Sequence, residues 1–461
     1  MSFSRPEPET GQPKRKNWLD IGLIVLAILT YLLFLTGDYL LPVKSPLWLI
    51  AALFLLVGGI GLKLAQRYGI SLTGFTGWLT TNWPVLILGL ALVGGGLLRY
   101  QALQTRPNTP ATPSPSAVQA FATEARTIIN SSNWQPISYE QPPLYLFLGA
   151  SLVELSFFQQ ASAGKIATPE EVSNQTILGF LSYVNLILGL VTIIIVYKAA
   201  SRWWQSQTAG AIAAGLLSLS WLAYQSTPNP APQLLAAALA AGSFYTMTFI
   251  TGQTKWPLFW AGLLAGLATG AAYGAILLLV PLLGIALSQA KKGRRAKAVG
   301  LALGDWLLGW TAACPGWLLS LNRFIEGLTI TKAAPANALN SYFKEAFSYD
   351  LGLLAVLFVT LVVFSLRRTG WLKLWPVLAF PLLYVIALKF SGPVNLTRLA
   401  LVTPWLALAG AGPLTWLIEW LQARLPGRWK QVQWTGAFLT LAVLAAIFLV
   451  SVLGRRLILT G

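Results

Sequence analysis

SYEQPPLYLFLGASLVELSFFQ, residues 138–159, decides how this chain is threaded. It opens on Pro142-Pro143, which suits a helix start because the missing N–H groups fall where a helix leaves donors unused anyway, and it then runs apolar for about four turns. If it crossed a bilayer, Lys198, Arg202 and the KKGRRAK run at 291–297 would all lie outside. That contradicts the excess of Lys and Arg that marks cytoplasmic loops. If it lies in the outer interface, the later charges fall inside. Glu154 in its middle is also tolerated at an interface more easily than in hydrocarbon. The stretch therefore reads as an external juxtamembrane helix.

The composition makes a membrane necessary. Of 461 residues, 56% are hydrophobic and 10% charged, with a mean hydropathy of +0.64, where a soluble domain carries roughly 25% charged residues. Apolar runs of about 20 residues recur from end to end, each able to cross a ~30 Å hydrocarbon core as a helix. They predict an all-α polytopic membrane protein of about 13 transmembrane helices, near 18–37, 46–65, 83–98, 177–198, 208–224, 232–250, 257–271, 273–290, 300–320, 350–366, 373–390, 399–419 and 434–453.

With the N-terminus cytoplasmic and the C-terminus external or lumenal, most of the 32 Lys and Arg residues lie inside, as the charge rule requires. The net charge of +18 is then a matter of topology, and KKGRRAK is an inside loop between two spans. Nucleic acid is not a partner. The organisation follows: a polar cytoplasmic tail, 1–17; two N-terminal spans and a loop, 18–82; a membrane module, 83–453, with long external loops at 99–176 and 322–349; and an external tail, 454–461.

Histidine is absent and Cys314 is the single cysteine. His- or Cys-built zinc sites, His-ligated haem, Ser-His-Asp catalysis and internal disulfides are excluded. Chemistry must come from carboxylates, Lys and Arg, amides, hydroxyls, aromatics or a bound ion. The first external loop combines a Pro-rich strap, PNTPATPSP at 107–115, with a short helix over 117–130 whose apolar face is Phe121, Ile128 and Ile129. Many of the 20 tryptophans fall near span ends, where they anchor to the interface. Asp305 falls inside an apolar span, near the end read as cytoplasmic.

Four segments in fixed order carry a resemblance: Tyr139-Glu140-Gln141-Pro142-Pro143-Leu144, Ala223-Tyr224 through Pro228-Asn229-Pro230, WAGLLAGLATGAAYGAILLLVPLL at 260–283, and NLTRLALVTPWLALAGAG at 395–412. Together they resemble the GT-C superfamily of membrane glycosyltransferases, in the branch of protein O-mannosyltransferases and aminoarabinose transferases. The likeness covers roughly Leu90 to Val452 and makes helices 18–37 and 46–65 an N-terminal addition. It implies transfer of a sugar from a polyprenyl-phosphate carrier to an acceptor on the outer or lumenal face.

The sequence departs from the family at three polar positions. Ala117 and Val118 stand where an acidic residue is usual, Asn229 replaces a second acid, and Ala271, Ala272 and Tyr273 occupy a stretch that often holds a lysine. Asparagine can hydrogen-bond but cannot act as a base. The alternative reading is thus a catalytically degenerate relative, serving as a subunit or scaffold of a membrane complex.

Under the transferase reading the catalytic candidates are Glu140 and Glu124. Glu140 also suits a helix start electrostatically, and Glu124 can pair with Arg126 or stay solvated. Donor phosphate candidates are Arg398, at the outer surface where a lipid phosphate sits, Lys389 across an external turn, and Arg99 and Arg323. Tyr139, Trp134 and Asn229 are substrate-binding candidates, Trp134 by stacking on a sugar ring unless it simply packs the loop down. No residue is assigned to a metal. No cofactor follows with certainty, and a divalent metal is left open. The expected partners are a polyprenyl-phosphate-linked sugar, membrane lipids and, in the scaffold reading, another membrane protein. Accessibility labelling should find Lys292 inside and 100–140 outside; an external Lys292 would overturn the juxtamembrane assignment.

Overall fold

The computed structural model describes residues 72–105, 115–131, 136, 139, 142–229, 231–250, 255–330, 371–388, 396–424 and 435–460. The chain divides into two compact units, 1–81 and 82–461, and the architecture below is that of the second. The expected spans 18–37, 46–65 and 350–366 lie outside the described residues. Among those described, every regular element is helical.

The helices are α1 (Asn82–Gln104), α2 (Pro115–Ser131), α3 (Pro143–Ser162), α4 (Asn174–Trp203), α5 (Gln207–Leu219), α6 (Trp221–Gln225), α7 (Pro232–Met247), α8 (Trp256–Ala271), α9 (Leu279–Gln289), α10 (Arg295–Ala313), α11 (Gly316–Leu319), α12 (Leu321–Ile330), α13 (Trp371–Leu388), α14 (Thr403–Arg424) and α15 (Thr435–Thr460). Tyr273–Leu278 and Leu396–Leu401 form 3-10 turns. Helix α3 starts at Pro143, as the Pro-Pro pair implies. It ends at Ser162 and is closed off by Gly164 (φ +68°), where Gly164 N–H donates to Ala161 O at 2.9 Å and Lys165 N–H to Gln160 O at 3.0 Å. This pair of bonds needs a left-handed residue, which glycine supplies without a Cβ penalty.

Several expected spans are broken by identifiable residues. The run 208–224 is interrupted at Ser220, whose Oγ accepts from Ala223 N–H at 3.4 Å and caps α6. The run 300–320 stops at Ala313, because Pro315 disfavours helix in the residue before it, and α11 and α12 follow. Asp305 lies mid-helix in α10 rather than near its end.

Helix α4 shows what solvent the fold is built for. Its outward row is Tyr183, Ile187, Val191 and Ile194, each between 41% and 57% exposed, while its inward row includes fully buried Asn185, Gly189 and Thr192. The outward row is wholly apolar, while the buried side mixes polar and small residues with Ile177, Leu181, Ile193 and Val196. Helices α1 and α4 are each long and apolar enough to span a bilayer. Together with the composition, this pattern makes the chain an integral membrane protein.

Without a hydrophobic drive between helices in lipid, close packing must come from small residues. The seam between α8 and α10 is built this way. Gly262, Gly266 and Gly270 recur every four residues on α8. A Cβ on Gly262 would fall 2.7 Å from Asp305 Cβ, and one on Gly266 2.6 Å from the Trp310 nitrogen; on the facing helix, Gly309 is pressed against the Leu263 carbonyl. The centre is aromatic: Trp405 is wholly buried, 4.8 Å from the Phe244 ring and 5.1 Å from that of Phe380. Trp204 donates to Leu408 O at 2.9 Å and occupies space that Gly412 leaves open. Gly266→Ala should lower thermal stability by about 1–3 kcal/mol through overpacking, whereas Gly304→Ala, with nothing within 4 Å of its added Cβ, should leave it unchanged or raised. Equal effects in thermal unfolding would contradict the seam.

Candidate functional site

The four segments quoted above are brought together by side chains within the second unit. Asn185, buried in α4, donates through Nδ2 to Thr227 O at 3.3 Å and to Asn229 O at 2.7 Å. Its Oδ1 accepts from the Tyr145 hydroxyl at 3.2 Å, and that hydroxyl in turn accepts from Ala231 N–H at 3.2 Å. Ser182, less than a turn away on α4, donates to Pro228 O at 3.1 Å. One amide and one phenol thus tie the Pro-Pro helix to the PNP loop. Burial pushes the Tyr145 phenol's pKa up, against its bonds to Asn185 and Ala231, so it stays protonated as a donor.

The other two segments join the same end. Tyr273, opening the 3-10 turn after α8, donates to Tyr139 O at 3.1 Å. Ala400, in the 3-10 turn that carries Arg398, is buried with Ala231 and Leu234 beside the PNP loop. Tyr384 donates to Arg398 O at 3.1 Å and holds that turn to α13. A local polar clamp fixes the loop helix α2: Arg126 donates to Val172 O and to the Asn174 side chain, and Asn130 Nδ2 donates to Glu170 Oε1 at 2.7 Å. Partial burial lowers the Arg126 pKa from its ordinary value, which leaves it charged. Phe121 lies over Gly149, with its ring 5.7 Å from that of Tyr145.

The expected site residues are distributed unevenly. Asn229 lies at the centre, 8% exposed, and Arg398 is half-buried nearby on its turn. Tyr139 is buried against Gly316, 5.8 Å from the Phe324 ring, with its hydroxyl 3.5 Å from Ser320 Oγ. Glu124 is half-buried on α2, and Arg323 is exposed on α12. Arg99 is not at a surface: it is 1% exposed, inside the bundle against Gly189 of α4. Glu140, Trp134 and Lys389 lie outside the described residues. Sequence reading passed over Asn185, Tyr145 and Thr227. A lone asparagine inside the apolar run of α4 was the available signal, since amides in such helices are retained to bond across them.

Among the described residues, three oxygens around the PNP loop are buried and find no hydrogen-bond partner: Gln225 Oε1, Thr227 Oγ1 and Gln233 Oε1. Buried acceptors in this state are costly unless a donor arrives. Among the described residues no three His, Cys, Asp or Glu side chains gather.

Residues 179–316 match the sequence profile of the dolichyl-phosphate-mannose-protein mannosyltransferases. No curated protein matches the chain. Among solved structures, the Archaeoglobus fulgidus oligosaccharyltransferase in complex with zinc and sulfate superposes with a TM-score of 0.48 at 13% identity, over 79% of this chain and 52% of that one. ArnT from Cupriavidus metallidurans, bound to undecaprenyl phosphate, gives 0.45 at 14% identity over 82% and 73%. The same archaeal enzyme with an inhibitory peptide and a dolichol-phosphate gives 0.48 at 15%, over 82% and 56%. The chain spans about half the length of that archaeal enzyme. Asn185→Ala should cost about 1–3 kcal/mol for each orphaned buried group and open the 226–231 loop to protease; unchanged stability and cleavage would remove Asn185 from its linking role.

Proposed function

We propose that this chain is a GT-C membrane glycosyltransferase that takes a sugar from a polyprenyl-phosphate carrier and passes it to an acceptor on the outer or lumenal face. The observation that carries this reading is the convergence of the four motif segments at the end of the bundle where α2 and α3 lie. A family profile named for a dolichyl-phosphate sugar supports the donor class over residues 179–316. The unpartnered oxygens of Gln225, Thr227 and Gln233 suit a group rich in hydroxyl donors, as a sugar is.

In this reading the apolar outer faces of the helices accept the lipid chain. Arg398, with Lys389 and Arg323 as further cations, neutralises the donor phosphate. Glu140 takes the acceptor proton, with Glu124 as the second carboxylate candidate, and Asn229, Tyr139 and Trp134 line the sugar. The N-terminus is cytoplasmic and the C-terminus external.

The scaffold reading has one specific observation in its favour: Asn229 stands where the family's second acid is expected, and its carbonyl is committed to Asn185. The two readings separate experimentally. Arg398→Ala should weaken binding of a polyprenyl-phosphate donor by about tenfold or more while the fold survives, with Lys rescuing only in part because it lacks the bidentate fork. Glu140→Gln should lower turnover by ~10²–10⁴-fold with donor binding kept. Wild-type inactivity across a panel of lipid-linked sugars, together with stable association with another membrane protein, would instead establish the scaffold.

A further inference from the structure

Asp305 carries a carboxylate in the middle of α10, within the apolar run that continues to Ala313. Lys297, the nearest cation on the same helix, is eight residues back, about 12 Å along the axis. A side chain one methylene long cannot snorkel across that distance. Two neighbours on α10 could satisfy it within the bundle, and neither does. Trp306 Nε1 donates instead to Thr269 Oγ1 at 3.1 Å, and Trp310 Nε1 is buried with no partner. Among the described residues Asp305 has no hydrogen bond and no ion pair.

The fold does not seal this carboxylate in. Asp305 is half-buried, with its base against Gly262 of α8. About one turn to either side on the same face stand Leu301, 38% exposed, and Leu308, 54% exposed, with exposed Ala312 beyond. Beside them Gly300 and Gly304 are exposed, and a Cβ on either would meet nothing within 4 Å. Exposed leucines mark this as a side of α10 that looks onto lipid. An ionisable group there is costly and calls for a partner.

We propose that this face of α10 docks a transmembrane helix of another membrane protein, which brings a Lys or Arg to Asp305. Charge complementarity chooses the occupant. A free cation pays heavily to leave water, and a lipid amine stays at headgroup level. A cation at this depth is therefore carried on a helix, whose own backbone is satisfied in hydrocarbon. A second copy does not supply it. From Ala298 to Ala313 the helix has no Lys or Arg, and two-fold pairing on this face would set carboxylate against carboxylate. The inference goes beyond the transferase reading and holds whether or not the chain transfers sugar.

The test places the purified full chain in phosphatidylcholine vesicles with synthetic, tryptophan-free single-span peptides that carry a dansyl acceptor. Energy transfer from the chain's own tryptophans reports binding. The peptides share one Leu-Ala host with two glycines four residues apart, and differ by Lys, Leu or Glu at the level of Asp305. Wild type should bind the Lys peptide about 3- to 30-fold more tightly than the Leu peptide, and the Glu peptide least. Asp305→Asn should level Lys and Leu, and Asp305→Lys should turn the preference to Glu. Gly304→Leu should weaken binding of the Lys peptide with Tm unchanged. Because the preference is read between peptides within each variant, a loss of stability cannot imitate it. Equal binding of the three peptides to wild type, or a preference for Lys that survives Asp305→Asn, would overturn the proposal. So would the absence of any peptide binding. Cross-linking of the Leu308→Cys variant to a second copy in the same vesicles would also overturn it, by making the occupant this chain itself.

Discussion

The amide of Asn185 is the constraint on which the rest of the site depends. Carried in the middle of a predominantly apolar helix, it spends both Nδ2 donors on carbonyls of the PNP loop and its acceptor on Tyr145. In a low-dielectric interior each of these bonds is expensive to leave unmade. The loop, the Pro-Pro helix and α4 therefore have one mutual arrangement. Tyr273 and the Ala231–Ala400 contact extend it to the two remaining segments.

The fold around that hub is organised by the solvent. Outward faces are apolar, as lipid allows, while the buried faces mix small and polar residues with an apolar and aromatic core around Trp405. Helices approach through glycine, as between α8 and α10, and the space so freed is used twice: for backbone contact at Gly266 and for a guanidinium at Gly189.

Much of this was legible in the sequence, for physical reasons. Spans declare themselves by length and hydropathy, and Pro142-Pro143 declares a helix start, because both signals are local. Breaks at Ser220 and Ala313 were not, since a 20-residue apolar run hides a cap or a proline near its end. The Gly262, Gly266 and Gly270 spacing was readable as a packing face, but not its partner helix. The sequence places Arg99 near the end of an apolar run, where a surface cation is the ordinary expectation. Only the three-dimensional neighbours, Gly95 and Gly189, show that it turns inward. Arg126 likewise chooses Val172 O and Asn174, contacts some 46 and 48 residues away.

The central claim is that Tyr145 and Asn185 act as one unit that gathers the site. A double-mutant cycle on Tyr145→Phe and Asn185→Ala, read by thermal unfolding of the purified chain, measures it most directly. The account predicts a coupling of about 0.5–3 kcal/mol between the two changes. Additive losses, with each substitution acting as though the other residue were intact, would contradict it.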